Sequence, residues 1–327
     1  MIVTQTPLRV SLCGGGTDFP DFYRDHGGCV LSTAIDKYVY VVVKRRFDSK
    51  IRVGYTRTEM VDSVDEVQHD LVREALRIVG VERGVEIATM ADIPARGSGL
   101  GSSASVTVGV LHALYAYTGQ LVTAERLAEE ACRIEIDVLG RPVGKQDQYI
   151  AAYGGLRFIE FRKDGSVSVA PVALSPSEQR RLESSLMLFF TGITRDAQTI
   201  LAEQKQSTAQ NTAHLQAIAA LAREMYEHVC RGQFDEVGRL LHENWEHKRR
   251  LASRITLPEI DEMYERARQA GALGGKIAGA GGGGFLLLYC RPEDQERVRE
   301  ALRGFRELPF RIEPDGSKVV FNLKREE

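Results

Sequence analysis

The sequence predicts a mixed α/β (α+β) fold with two domains. Its 327 residues are about twice the usual length of a domain. Strand-like and helix-like patterns are mixed in both halves, and the character of the chain changes around Ser175-Pro176. We therefore expect an N-terminal domain over residues 1–180 and a C-terminal domain over residues 181–327.

The composition is that of an ordinary globular protein, with 43% hydrophobic and 27% charged residues. The 43 Lys and Arg against 45 Asp and Glu give a net charge of −2, which argues against nucleic acid as a partner. The longest apolar runs, such as Tyr38 to Val43, fall short of the roughly 20 residues of a membrane span. Since the N-terminus also lacks a signal-peptide pattern, we expect a cytoplasmic protein with no membrane partner and with reduced cysteines.

In the first half, Val- and Tyr-rich segments predict strands, and segments of helical spacing predict helices. The predicted elements are strands at Tyr38–Lys44 and Ile51–Val53, helices at Asp70–Val79 and Ala124–Ile136, and a hairpin of Leu156–Phe161 and Ser166–Val172 that turns at Lys163–Gly165.

The second half begins with a predicted strand and continues as a long helical stretch. Pro258 is placed to begin a helix and Gly271 to end it. The predicted elements are a strand at Leu186–Thr191, helical structure from about Ala197 to Ser253, the helix after Pro258, a strand at Phe285–Cys290, a helix at Pro292–Leu302, and a hairpin at Phe310–Leu323 turning at Pro314–Gly316.

The run from Pro94 to Ser105 carries three glycines at alternate positions and leads into an apolar helical segment. Glycines let the backbone turn tightly, and the N–H groups and dipole of the following helix favour an anion, so the pattern predicts a phosphate loop. A flexible, serine-capped turn is the simpler interpretation of a Gly/Ser cluster. The absence of a G-K-[ST] sequence excludes a Walker A loop at this site.

A dinucleotide-dependent oxidoreductase is a competing interpretation of the same loop. Gly99 to Ala104 matches the pattern G-x-G-x-x-[GA] of nicotinamide and flavin enzymes. That pattern also needs an acidic residue at a strand end about 20 residues on, where Thr123 to Glu130 instead predicts the start of a helix. The alternative stays open at this point.

Three further segments carry candidate chemistry. Glu135 and Asp147 lie on either side of a loop broken by glycines and a proline, so one carboxylate can hold a metal while the other faces a substrate hydroxyl. The run Pro7 to Asp18 predicts a strand that presents Arg9 and ends in a glycine corner. The glycine-rich run Lys276 to Phe285 predicts close backbone approach to a ligand or to another loop.

These segments, in this order, resemble the motifs of the GHMP kinases, a superfamily of small-molecule kinases named for galactose, homoserine, mevalonate and phosphomevalonate. The resemblance implies ATP and Mg²⁺ as cofactors, and an N-terminal α/β domain followed by a C-terminal ferredoxin-like domain with the active site between them. It implies a nucleotide phosphate site formed by Gly97, Gly99, Leu100, Gly101, Ser102, Ser103, Ala104 and Ser105.

The resemblance also assigns roles to single residues. It makes Ser102 and Glu135 the Mg²⁺ ligands, with Ser103 able to exchange roles with Ser102, and it places Asp147 at the acceptor hydroxyl with Arg9 beside it. The implied substrate-binding residues are Gly15, Gly16, Thr17, Asp18 and Gly281, and the candidate cations for a sugar phosphate are Lys37, Arg141 and Arg195.

Within the superfamily, the form Gly14-Gly15-Gly16-Thr17-Asp18 replaces the Gly-Glu-His-Thr-Asp of galactokinase-like members. Together with Asp36–Tyr40, Gln146–Tyr149 and Thr191–Arg195, it looks most like the D-glycero-D-manno-heptose 7-phosphate kinases, while fucokinase-type domains share part of the pattern. The implied reaction is phosphorylation of the anomeric hydroxyl, giving the 1,7-bisphosphate for nucleotide-activated heptose synthesis. The expected partners are a sugar phosphate and ATP, and a homodimer is left open.

Overall fold

The computed structural model describes residues 1–93, 97–194 and 197–323, and over these residues most strands belong to one large, mainly antiparallel sheet. Its strands follow the order β12-β1-β2-β5-β3-β4, with β6 paired to β2 and β7 paired to β6. They are β1 (Ile2–Cys13), β2 (Gly28–Arg45), β3 (Ile51–Gly54), β4 (Thr58–Val61), β5 (Val85–Ala91), β6 (Leu156–Phe161), β7 (Val167–Pro171) and β12 (Lys318–Asn322).

The long strand β2 divides this sheet into two arms. Its first residues, Gly28 to Thr33, pair with β6, and its last, Val39 to Arg45, pair with β5. Both halves of β2 also pair with β1, which runs antiparallel to β2 from Ile2↔Val43 to Cys13↔Leu31. Since β1 is buried along most of its length, its end delivers Cys13 and the glycines that follow into the interior of the protein.

Helices cover the large sheet and connect it to a second sheet. Those of the first part are α1 (Pro20–His26), α2 (Asp70–Val79), α3 (Ser102–Tyr117), α4 (Ala124–Cys132), α5 (Gln146–Tyr153) and α6 (Pro176–Ser184), with a π-helical segment at Arg133–Val138. The most buried of these helices is α3, which packs on β1 and β2. Its apolar side chains are distributed around the whole helix and do not form a single stripe, as is typical of a buried helix.

The second sheet is a four-stranded antiparallel sheet with the order β11-β8-β10-β9. Its members are β8 (Leu186–Phe190), β9 (Gly274–Ile277), β10 (Phe285–Tyr289) and β11 (Arg306–Glu307), and the helices around it are α7 (Ala197–Gln206), α8 (Thr212–Cys230), α9 (Asp235–Lys248), α10 (Pro258–Gln269) and α11 (Gln295–Ala301). In chain order its strands take the spatial order 4-1-3-2, with helices after the first and the third strand. This is the ferredoxin-like arrangement that the sequence analysis expected.

Two predicted elements differ from the structure. The long helical stretch consists of three helices, α7 to α9, because short turns interrupt it after Gln206 and Cys230. The prediction of a hairpin at Phe310–Leu323 is wrong. Instead, β12 pairs with β1 in the first sheet, and Ile312 forms an isolated β-bridge with Ile35. The edge of β1 is a longer pairing partner for β12 than the short segment between Phe310 and Pro314, with which a hairpin would have paired it. The boundary near residue 180 stays a prediction.

No helix in the described ranges is long and apolar enough to cross a membrane.

Candidate active site

The predicted phosphate loop forms the entry to α3. Gly97, Gly99 and Gly101 have φ values of 72°, 72° and 78°, in the left-handed region that L residues other than glycine rarely adopt. Gly101 directly precedes the helix, so the unpaired N–H groups of the first helical turn lie beside the loop. Between these glycines, Leu100 is fully buried and anchors the loop in the core. This is the local geometry that an anion requires.

The glycine-rich run before β10 packs directly against this loop. A Cβ atom at Gly99 would lie 2.5 Å from the carbonyl oxygen of Ala278, and one at Gly284 would lie 2.5 Å from that of Ser98. The close approach predicted for the run is therefore an approach to another loop. In this way the second sheet supports the conformation of the phosphate loop.

Arg9 connects the phosphate loop to the predicted catalytic aspartate. Its Nε and Nη2 donate to the two carboxylate oxygens of Asp147 at 2.7 and 2.5 Å, and its Nη1 donates to the carbonyl oxygen of Gly99 at 2.5 Å. The guanidinium is buried, and its bidentate geometry fixes the plane of the Asp147 carboxylate. Asp147 lies in the first turn of α5, as its position after a glycine-rich break predicted.

Ser103, rather than Ser102, lies against Glu135. The Ser103 hydroxyl donates to Glu135 Oε2 at 2.6 Å, whereas Ser102 Oγ is 3.3 Å from Ser98 Oγ. Successive residues of a helix point about 100° apart, so only one of two adjacent serines can face the same carboxylate. The position of Ser103 thus departs from the sequence-based assignment of Ser102 as the metal ligand and favours the exchange between them.

Glu135 itself lies on the π-helical segment that follows α4, a distortion that often accompanies functional residues. Its carboxylate also accepts hydrogen bonds from Gln148 Nε2 at 3.0 Å and from Thr107 Oγ1 at 3.2 Å. Burial raises the pKa of Glu135, and its hydrogen-bond donors act in the opposite direction. A buried carboxylate beside a hydroxyl supplies the hard oxygen ligands that Mg²⁺ prefers, with the remaining positions left to phosphate and water. The two residues therefore fit Mg²⁺.

Arg141 lies on the nucleotide side of the site. Its Nη1 donates to Ser103 Oγ at 2.9 Å and lies 3.3 Å from Glu135 Oε2, while its Nη2 donates to both carboxylate oxygens of Asp70. The sequence-based prediction of Arg141 as a clamp for a sugar phosphate is not tested by these contacts. They show that two carboxylates already balance its charge.

The glycine corner after β1 contributes Gly15, Gly16 and Asp18 to a cleft that Asp147 also lines. Asp18 is buried, and its carboxylate accepts from the N–H of Gly16 at 2.9 Å and from Gln146. Burial, with Asp147 nearby, raises the pKa of Asp18. The hydroxyl of Thr17 is used internally, since it donates to the carbonyl oxygens of Gly14 and Cys29.

Lys37 and Gly281 are not among the described residues that line the cleft. Lys37 pairs with Asp36 at 2.8 Å and is absent from the cleft lining. Gly281 packs against Ile255. A Cβ atom added at Gly281 would lie 2.8 Å from the carbonyl oxygen of Ile255, so this structural contact accounts for the glycine. Arg195 lies outside the described residues, as do Pro94 to Arg96 of the predicted phosphate loop.

Sequence reasoning missed two buried lysines that line the same cleft. Lys276 of β9 donates to the carbonyl oxygen of Ser11 at 2.9 Å, and Lys248 at the end of α9 donates to that of Gly279. Burial lowers the pKa of Lys276 to about 8 and lowers that of Lys248 well below its usual value. Lys276 belongs to the glycine-rich run, which pointed toward it, while the sequence around Lys248 carries no comparable signal.

The cleft lies between the two parts of the chain. The first part supplies the corner after β1, the start of α3 and the start of α5; the second supplies α7, the end of α9 and the loop after β9. Oxygen ligands for a metal, a phosphate loop and a carboxylate held by an arginine thus meet at one place. This set can align a nucleotide triphosphate with an acceptor hydroxyl.

Sequence comparison identifies both parts of the chain with one family. The family described as GHMP kinases N terminal domain matches residues 67–155, and that described as GHMP kinases C terminal matches residues 217–307. The D-glycero-alpha-D-manno-heptose 7-phosphate kinase of Campylobacter jejuni is 30% identical, over 92% of this chain and 93% of that protein. The L-fucokinase/L-fucose-1-P guanylyltransferase of Bacteroides fragilis is 28% identical, over 91% of this chain and 35% of that larger protein.

Comparison with solved structures agrees. A D-glycero-D-manno-heptose 1-phosphate kinase from Bacteroides thetaiotaomicron superposes with a TM-score of 0.81 at 27% identity, covering 99% of this chain and all of that one. A galactokinase from Lactococcus lactis, crystallised with galactose, superposes with a TM-score of 0.78 at 20% identity, over 97% of this chain and 94% of that one, which shows the fold alone.

Proposed function

Because the chain belongs to the GHMP kinases and is an ATP-dependent sugar kinase, we propose that it transfers the γ-phosphate of ATP to the anomeric hydroxyl of D-glycero-D-manno-heptose 7-phosphate. The products are the 1,7-bisphosphate and ADP. Membership of this family replaces the dinucleotide-dependent oxidoreductase as an explanation of Gly99 to Ala104.

The proposal rests on the series of hydrogen bonds that links Asp147 through Arg9 to the carbonyl oxygen of Gly99. It sets a carboxylate oxygen at a fixed position relative to the phosphate loop. In the proposed arrangement, a hydroxyl that donates to Asp147 is presented to a phosphate held at that loop. Phosphoryl transfer through a loose transition state depends mainly on such alignment and on charge stabilisation.

In the proposed reaction, the amides at the start of α3 bind the triphosphate, and Arg9 holds the Asp147 carboxylate at the acceptor hydroxyl. The acceptor oxygen bonds to the γ-phosphorus as the bond to the bridging oxygen of ADP breaks, and Asp147 takes the hydroxyl proton. Proton removal comes late in such a transition state, so a weak base is sufficient. An anomeric hydroxyl is also more acidic than a simple alcohol.

We assign Mg²⁺ to Ser103 and Glu135. When bound there, Mg²⁺ would neutralise negative charge on the phosphates. The chain's own contribution is to keep Glu135 oriented by its hydrogen bonds from Gln148 and Thr107.

The choice of a heptose phosphate is supported by the relative in Campylobacter jejuni, whose name specifies the 7-phosphate. The Bacteroides neighbour is described as a 1-phosphate kinase, so the two descriptions differ in which end of the sugar already carries phosphate. A fucokinase- or galactokinase-like activity is the alternative within the family.

The test is a coupled ADP-release assay with purified protein, ATP and Mg²⁺ over a panel of acceptors. The panel holds heptose 7-phosphate, heptose 1-phosphate, free heptose, L-fucose, galactose and mevalonate. We expect the highest kcat/KM with heptose 7-phosphate, and a phosphorus NMR spectrum showing a new anomeric phosphate.

Faster turnover of heptose 1-phosphate would refute the anomeric acceptor while leaving the kinase intact. Faster turnover of a free sugar would refute the sugar-phosphate acceptor. Two further expectations remain predictions: a cytoplasmic location and a homodimer.

A further inference from the structure

Lys248 is a buried amine with no carboxylate among its described hydrogen-bond partners. Only 4% of the residue is exposed, yet it lines the cleft at the end of α9. Among the described residues, its hydrogen-bond acceptor is the carbonyl oxygen of Gly279, and no ion pair involving it is formed. Burying a polar group with an unused hydrogen-bond donor is costly, so such a group is retained where a ligand supplies the missing acceptor.

Even as an uncharged amine the side chain has two N–H donors, and Gly279 uses one of them. The charges that influence Lys248 most are Lys276 and Arg9, which oppose its protonation, and Asp18 and Asp147, which favour it. These are the residues around the reacting end of the acceptor. Lys248 lines the same cleft as Arg9, Asp18 and Asp147, where a sugar hydroxyl would meet it.

The opposite wall of the cleft holds polar atoms that also lack a partner. Ser11 Oγ, Gln146 Oε1 and Gln148 Oε1 are all buried without a hydrogen bond, and all three residues line the cleft. Most buried polar groups in native proteins are satisfied, so three such atoms around one cleft indicate an absent polyhydroxylated partner. Asp18 adds a carboxylate with no cation bound to it among the described residues.

We propose that Lys248 binds the acceptor directly, donating to a ring or side-chain hydroxyl oxygen of the sugar opposite Asp18. This proposal rests on the sugar kinase function proposed above. A lysine in this position favours acceptors with several hydroxyl oxygens near the reacting carbon. Lys248 is thus a specificity-determining residue outside the glycine-rich motifs.

The test replaces Lys248 by methionine, which is of similar length and carries no charge. The dissociation constants of acceptor and nucleotide are measured separately by calorimetry. A hydrogen bond from an uncharged donor corresponds to roughly 2- to 10-fold in affinity, so we expect Lys248→Met to weaken acceptor binding by that factor. Nucleotide binding should change by less than about twofold. Lys205→Met, at an exposed lysine of α7 that lies 3.8 Å from Asp21, is the matched control and should change neither constant.

Deoxygenated acceptors locate the contact. The wild-type protein should lose affinity when the contacted hydroxyl is removed, and Lys248→Met should show no further loss with that analogue. If Lys248→Met does not fold by circular dichroism, Lys248→Gln, which keeps a donor but no charge, should show a smaller loss of the same kind. Unchanged acceptor affinity, or a loss confined to nucleotide binding, would overturn the proposal.

The acceptor used is whichever member of the panel supports ADP release. A negative result for heptose 7-phosphate therefore refutes the substrate assignment and leaves the role of Lys248 to be decided with the sugar that is turned over. ADP release that no sugar of the panel increases would refute the sugar kinase function and the Lys248 proposal together.

Discussion

Replacing Gly99 by alanine tests whether the glycine-rich run before β10 holds the phosphate loop in place. Gly99 has a φ of 72°, which costs an L residue about 1–2 kcal/mol. The added Cβ would also lie 2.5 Å from the carbonyl oxygen of Ala278, a backbone atom that cannot rotate away. Forcing such a backbone shift costs about 1–3 kcal/mol more. We therefore expect Gly99→Ala to lower the free energy of unfolding by about 2–5 kcal/mol.

Gly80→Ala separates the two contributions. Gly80 ends α2 with a φ of 77°, and a Cβ there would have no neighbour within 4 Å. Only the left-handed cost of about 1–2 kcal/mol should appear in this control. Urea unfolding gives both free energies, provided the m-values agree. Gly99→Ala should also weaken ATP binding by roughly tenfold or more, because the loop amides must move with the backbone. Equal losses of stability in the two variants, with ATP binding intact, would refute the buttressing role.

Three further predictions concern charged groups of the cleft. Asp147→Asn should lower turnover by roughly 10²- to 10⁴-fold while ATP still binds, and unchanged turnover would remove this carboxylate from the mechanism. Burial raises the pKa of Glu135 above its usual 4.5. The Mg²⁺ concentration that the wild-type protein needs for activity should therefore rise as the pH falls toward that pKa. Glu135→Gln should need a higher Mg²⁺ concentration, and this need should no longer change with the protonation of residue 135. Lys276 has its pKa lowered from 10.5 to about 8, so the unfolded state binds more protons between these values. Wild-type stability relative to Lys276→Met should therefore rise by about 3 kcal/mol across this range, and a parallel pH dependence of the two proteins would contradict it.

The parts of the fold predicted correctly are those whose local sequence determines them. Asp70–Val79 and Leu156–Phe161 have the predicted bounds because each is bordered by its own helix or turn signals. The last strand, β12, could not be predicted as an addition to the first sheet, since its partner β1 lies at the other end of the chain. A local pattern indicates that a segment is extended, but not which strand edge it joins.

The same distinction holds for the site. The phosphate loop was visible in the sequence because its backbone conformation requires glycine at 97, 99 and 101. The choice between Ser102 and Ser103 could not be predicted, because it depends on the rotation of α3 about its axis relative to Glu135. The cations Lys37 and Arg141 were selected by charge alone, and both are paired with carboxylates in the structure.

These observations separate what identifies the family from what selects the substrate. The glycine-rich segments form the phosphate loop and its support, which transfer to any acceptor requires. The opposite wall of the cleft comes from α7 and from the end of α9, which provide Leu201, Gln204 and Lys248 and contain no glycine-rich motif. Proteins described as acting on mevalonate or galactose share this fold at about 20% identity, so the fold itself does not discriminate between acceptors. We therefore expect selectivity to depend also on side chains of these helices, where a buried donor such as Lys248 changes which acceptor oxygens can be bound.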